Sequence, residues 1–162
     1  MQVRFLPGAY NSMQKKIVGV IGGRKCNAKV ERLAHNLGEN LAKVVDYMVC
    51  GGLSGVMNAA SRGFKASGGV TIGILPGYDK GAANENIDLA IPTGIGLARN
   101  VLVVKSADVV VALPGEAGTL SEIAYCLQFG IPVISLQSWE IKGVIKVKTV
   151  KQAVARVKAL VQ

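Results

Sequence analysis

The stretch Val109–Glu122, VVVALPGEAGTLSE, constrains this chain more than any other. Val109–Leu113 is a short run of apolar, mostly β-branched residues, the pattern of a strand buried on both faces. Pro114 and Gly115 end it. From Gly118 and Thr119 onward, Leu120, Ile123, Ala124 and Leu127 fall on one face of a helix. A strand, a glycine turn and a helix start in that order leave backbone N–H groups unpaired at the positive end of the helix dipole, so the joint suits an anion. Gly115 and Gly118 let backbone approach a ligand, Thr119 adds a hydroxyl, and Glu122 stands one turn into the helix. The plain alternative is an ordinary joint with Thr119 as its cap, and a glycine turn by itself does not separate the two.

The rest of the chain repeats the same grammar. Apolar runs at Lys16–Gly22, Tyr47–Cys50, Val70–Leu75, Ile87–Ile91 and Ile131–Ser135 read as strands, with a short edge strand near Val144–Val147. Between them the spacing predicts a helix from about Ala28 to Val44, with Val30, Leu33, Leu37, Leu41 and Val44 inward. Others run from about Gly55 to Ala66, around Arg99 and Asn100, and along a closing stripe of Val150, Ala153, Val154, Val157 and Leu160. Strands alternating with helices predict an α/β fold, a Rossmann-like doubly wound, mainly parallel sheet of about six to seven strands with helices on both faces. Residues 1–15 read as an irregular lead-in and 16–162 as a single phosphate-binding domain. No apolar run reaches the roughly 18 residues of a membrane span, and the lead-in lacks the apolar centre of a secretory signal.

In such sheets the ligand lies beyond the carboxyl ends of the strands. Here those ends carry GGR, GGLSGVM, PGY and PGEAGT. Several glycine turns on one edge point to a polyanion, and Gly22, Gly23, Gly51, Gly52, Ser54, Gly115, Gly118 and Thr119 are its candidate contacts. The dinucleotide fingerprint is missing: no third glycine follows Gly22-Gly23 at the right spacing, and no acid ends the second strand. Cys26, Cys50 and Cys126 are far apart, and with the single His35 they form no familiar zinc spacing. Reduced thiols and a cytoplasmic location are expected, with Cys50 and Cys126 in the core. The net charge of +9 favours anionic partners. Much of it lies at the two ends, and the lysines of the last helix read as a solvated face, because no aromatic residues interleave with the charges as they do in nucleic-acid surfaces.

Two segments carry a resemblance. CGGLSGVM (50–57) resembles the GGxxGxM segment, and PGEAGTLSE (114–122) the PGGxGTxxE segment, of the lysine decarboxylase-like family known through cytokinin riboside monophosphate phosphoribohydrolases. The likeness extends over Ile17 to Val133, and NIDLAIPTGIGLARN (86–100) resembles the branch of the molybdenum-cofactor carrier proteins. The resemblance implies a Rossmann-like sheet, a nucleotide monophosphate site and a homo-oligomer, dimer or tetramer. It matches Arg99 and Glu122 to the residues with which the hydrolases cleave an N-glycosidic bond. That chemistry is sensible, since a carboxylate can stabilise an oxocarbenium-like sugar while arginine holds phosphate. Nothing supports the pyridoxal-phosphate lysine that the old decarboxylase label requires. Three positions depart from the hydrolase pattern: Asn100 stands for a lysine, Ser121 for the first of two acids, and Glu116 for a glycine inside the phosphate turn. Glu116 therefore points away, pairs with Arg99 or Arg24, or meets a ligand less anionic than AMP.

The leading expectation is a carrier-like protein binding the phosphate of a nucleotide monophosphate or a molybdopterin-type cofactor, with no cofactor required for chemistry of its own. The alternatives are a phosphoribohydrolase releasing ribose 5-phosphate and a nucleic-acid-associated module. No membrane partner is expected.

Overall fold

The computed structural model describes residues 14–162, so most of the expected lead-in, residues 1–13, lies outside the described residues. Seven strands form: β1 (Ile17–Ile21), β2 (Tyr47–Cys50), β3 (Val70–Leu75), β4 (Leu89–Pro92), β5 (Val109–Ala112), β6 (Val133–Leu136) and β7 (Ile145–Val147). The helices are α1 (Ala28–Leu41), α2 (Val56–Ala66), α3 (Asn100–Lys105), α4 (Ala117–Phe129) and α5 (Val150–Leu160). One sheet in the order β4-β3-β2-β1-β5-β6-β7 joins all the strands, and every neighbouring pair is parallel. This is the doubly wound α/β fold expected from the alternation of elements.

Strand periodicity sorts the core into two layers. Val109 and Val111 of β5 face α1, α2 and α5, against Leu37, Leu41, Phe64, Ala153 and Val157. Val110 and Ala112, pointing the other way, pack with Val103 and Val104 of α3 and Ile123 and Cys126 of α4. Cys50 and Cys126 are buried as expected. Two aspartates start the sheet: the carboxylate of Asp46 accepts the Lys16 N–H and that of Asp108 accepts the Ile17 N–H, both at 2.8 Å. They tie the entry of β1 to the strands on either side of it.

Several boundaries move for local reasons. The first helix stops at Leu41 because the chain tightens there: Lys43 and Val44 donate to Asn40 and Leu41, three residues back, and Val45 re-enters the core. Ile87 is spent in a turn whose N–H reaches Asn84, so the fourth strand begins at Leu89. Arg99 sits at the end of a 3₁₀ turn, Gly96–Arg99, that runs directly into α3. In α5, Leu160 is exposed and Val161 takes its expected place in the core.

Beneath the β3–β4 connection lies a closed polar network. The Thr71 N–H and hydroxyl both donate to Asp88 Oδ2, at 3.0 and 3.1 Å, and the Asp88 N–H donates back to Thr71 Oγ1 at 2.9 Å. The Thr71 hydroxyl also reaches the Asn86 carbonyl, and Lys65 Nζ lies 2.9 Å from Asp88 Oδ1. No helix among the described residues is long and apolar enough to cross a membrane.

Candidate functional site

The glycine turns meet at the carboxyl edge between β1 and β5, where the sheet order reverses direction. That is where an open α/β sheet leaves a crevice. The Gly23 N–H donates to the Pro114 carbonyl at 2.9 Å, and the Val56 N–H donates to the Gly23 carbonyl at 3.0 Å. The three turns are thus laced together by backbone.

The β5 turn is the open part of this edge. The fourth helix begins at Ala117, one residue before the expected start, with Glu116 at its N-cap in extended backbone. No side chain caps it, so Thr119 does not serve as a cap; it is buried in the first turn. The N–H groups of Gly115, Glu116, Ala117, Gly118 and Thr119 find no acceptor among the described residues. Gly115 is compelled by space: a Cβ there would overlap the Thr119 side chain and sit 2.9 Å from the Gly23 nitrogen. Above Gly118 there is nothing within 4 Å, so its surface is free to meet a ligand. Glu116 is exposed, and among the described residues it makes no ion pair with Arg99 or Arg24. Its carboxylate points to solvent.

Arg99 and Glu122 line the floor. Arg99 is 6% exposed, yet its guanidinium has few partners. One terminal nitrogen donates to Asn100 Oδ1, the other reaches the Gly51 carbonyl at 3.4 Å, and Nε has no partner among the described residues. Gly51 is glycine because Arg99 needs the room: a Cβ there would lie 2.6 Å from the guanidinium and 2.8 Å from Met57 Sδ. Burial lowers the pKa of Arg99, with Glu122 pulling it back up. Glu122 is buried, no hydrogen-bond donor among the described residues reaches its carboxyl, and it forms no ion pair with Arg99 within 4.0 Å. Burial pushes its pKa up to about 8, against the pull of Arg99. Burial thus shifts it toward the neutral, protonated form. One turn on, burial and the nearby Glu122 raise the Cys126 thiol to about 12, leaving it an inert core residue.

The other candidates serve construction. The Ser54 hydroxyl donates to the Arg24 carbonyl at 2.8 Å. The Gly52 N–H donates to Cys50 Sγ, and its carbonyl accepts from the Asn84 N–H. Gly22 makes room for Val56. These contacts shape the turns, while the N–H groups of Gly22, Gly51 and Ser54 also find no acceptor among the described residues. Two participants were missed from sequence. Asn100, noted only as a departure, is the clamp of Arg99. Trp139 donates its indole N–H to the Gly115 carbonyl at 3.0 Å. The signal for Trp139 was available: it is the sole tryptophan and follows a strand whose end lies on the ligand edge.

An all-parallel doubly wound sheet with glycine turns gathered at its switch point defines the class: a Rossmann-like α/β protein. The SLOG cluster4 family matches residues 15–161, and the chain belongs to that family, on the molybdenum-cofactor-carrier-like branch of the lysine decarboxylase-like superfamily. An uncharacterized protein of Archaeoglobus fulgidus is 41% identical over 120 residues, 74% of this chain and 79% of its own. The molybdenum cofactor binding protein of the phototrophic bacterium Rippkaea orientalis superposes with a TM-score of 0.86 at 34% identity, covering 93% of this chain and 99% of that one. The molybdenum cofactor (Moco) carrier protein of Chlamydomonas reinhardtii gives 0.83 at 33% identity, covering 91% and 98%.

Proposed function

We propose that this protein holds a phosphorylated heterocyclic cofactor of the molybdopterin type as cargo, seating its phosphate on the Gly115–Thr119 turn. The observation that carries this reading is the row of N–H groups at 115–119 without acceptors, opening on the same edge as a buried arginine with an unpartnered Nε. A ligand oxygen would satisfy both: the turn's N–H groups face open space at a helix start, and Arg99 Nε is a buried polar atom without a partner, which is rare without such a reason. The open surface above Gly118, where a Cβ would meet nothing within 4 Å, leaves the turn free to receive the group. Gly115, Gly118, Thr119 and Arg99 would hold the phosphate end. The likeness to the molybdenum cofactor binding protein of Rippkaea orientalis and the molybdenum cofactor carrier protein of Chlamydomonas reinhardtii supports the choice of cargo.

Hydrolysis of a nucleoside 5′-monophosphate is the second reading, favoured by the burial of both Arg99 and Glu122 at the site. Against it, burial disfavours the charged form of Glu122 that an oxocarbenium-like sugar would need. Mass spectrometry of ligand carried through purification tests the carrier reading. A phosphorylated pterin is the expected finding. Release of ribose 5-phosphate from AMP by the purified protein would overturn the carrier in favour of the enzyme. The fold also leaves Leu97, Leu102, Tyr125 and Phe129 exposed around α3 and α4, which supports a homo-oligomer through that face. A monomer by light scattering at micromolar concentration would remove this last proposal.

A further inference from the structure

Trp139 lies between β6 and β7, outside every motif of the phosphate turn. The chain turns back just before it, at Gln137, which holds a left-handed φ of 59° without being glycine. The indole then reaches β5 and donates to the Gly115 carbonyl. That carbonyl belongs to the peptide joining Gly115 to Glu116. The described peptide bonds are all trans, so the carbonyl and N–H of this unit point in opposite directions. Fixing the Gly115 oxygen toward Trp139 therefore turns the Glu116 N–H away from the indole, and that N–H has no acceptor among the described residues.

The orientation needs fixing because glycine resists a peptide flip poorly. A flipped unit would aim a carbonyl oxygen, the negative end of its dipole, at the anion. We propose that Trp139 is the positioning residue of the anion seat: its indole N–H locks the Gly115–Glu116 peptide so that the Glu116 N–H joins the donors facing the phosphate. This rests on the reading that the turn binds phosphate. It adds that a residue from a different strand connection, touching no ligand, sets the affinity. The indole ring stays 40% exposed, consistent with a hydrogen bond, more than burial, as its purpose.

Trp139→Phe keeps a ring and deletes the N–H. Binding of AMP and of inorganic phosphate is measured by calorimetry, and the Glu116 amide is followed by NMR. The expected result is an affinity for both ligands three- to ten-fold weaker. The phosphate-induced shift of the Glu116 amide should shrink, while thermal unfolding stays within a few degrees of wild type. Equal affinities and equal Glu116 shifts in wild type and variant would overturn the inference while leaving the phosphate seat intact. Should wild type bind neither probe, the phosphate reading fails and this inference falls with it. The wild-type protein supplies a check that needs no variant: an indole N–H that exchanges rapidly with solvent, with or without phosphate, would overturn the lock.

Discussion

Two acids sit at polar clusters on opposite sides of the sheet's centre, and they behave in opposite ways. Asp88 is surrounded by donors. Burial would raise its pKa, but the Thr71 N–H, Lys65 and the Thr71 hydroxyl more than offset this and hold it below the usual carboxylate range. Glu122 has burial without donors and is pushed up to about 8. The first cluster is complete and joins β3 to β4; no atom in it waits for anything. In the second, Glu122, the Arg99 Nε and the N–H groups at 115–119 lack partners of their own. The turn's N–H groups stand open to water, whereas a buried unpaired group costs about 1–3 kcal/mol, so the Arg99 Nε and Glu122 mark where an outside molecule would complete the structure.

The strongest test of this contrast is the paired substitution Gly118→Val and Thr119→Val. The new Cβ at 118 projects into open space, and valine matches threonine in shape, so the protein should fold normally while losing monophosphate binding by about a hundred-fold or more, read by calorimetry. Unchanged affinity would take the incomplete cluster out of the site. Thr71→Val should do the reverse. It leaves Asp88 and the Asn86 carbonyl short of a donor and should lower unfolding free energy by about 1–3 kcal/mol in urea, with ligand affinity kept.

Acidity separates the two clusters next. Glu122 has a folded pKa above its unfolded value, so its contribution is whole below about pH 4.5 and drains away as pH rises toward 8. Asp88 has a lowered folded pKa, so its contribution is present above the unfolded value and is lost only as pH falls through the folded one. Glu122→Gln should therefore abolish a stability slope of up to about 1.4 kcal/mol per pH unit between pH 5 and 8. A wild-type stability that is flat across that window would mean Glu122 is ionised in the folded protein. The smallest effect is expected from Glu116→Gly. With its carboxylate in solvent, removal should change monophosphate affinity less than about three-fold, because water and salt screen the repulsion. A larger gain that fades with added salt would show the carboxylate inside the site's field.

The order of strands and helices was legible because each strand is an unbroken apolar run stopped by glycine or proline, as at Cys50-Gly51-Gly52 and Leu75-Pro76-Gly77. Helix ends were less so. Whether the chain leaves α1 at Leu41 or Val44 depends on a tightened last turn, and no residue in Ala42–Lys43–Val44 announces that choice. Motifs single out Arg99, Glu122 and the β5 turn, and both side chains are buried. The division of labour among the glycines was not legible, since Gly22 and Gly118 look alike in sequence and differ only in whether Val56 or empty space stands above them. Trp139 was passed over because its partner is a backbone carbonyl 24 residues away, and backbone partners leave no mark on the side-chain pattern.

The position of β1 has a consequence for how the chain is born. Its five residues are made before all the other strands of the sheet, yet one flank pairs with β2 and the other with β5, where the Ile17–Asp108 contact spans 91 positions. During vectorial synthesis a half-sheet of β1 to β4 can assemble on the ribosome with one side of β1 bare. That apolar edge stays open until Val109–Ala112 emerges from the exit tunnel and closes it, so the strand that carries the glycine turn of the candidate site is also the one that ends the exposure of the central strand to stray pairing.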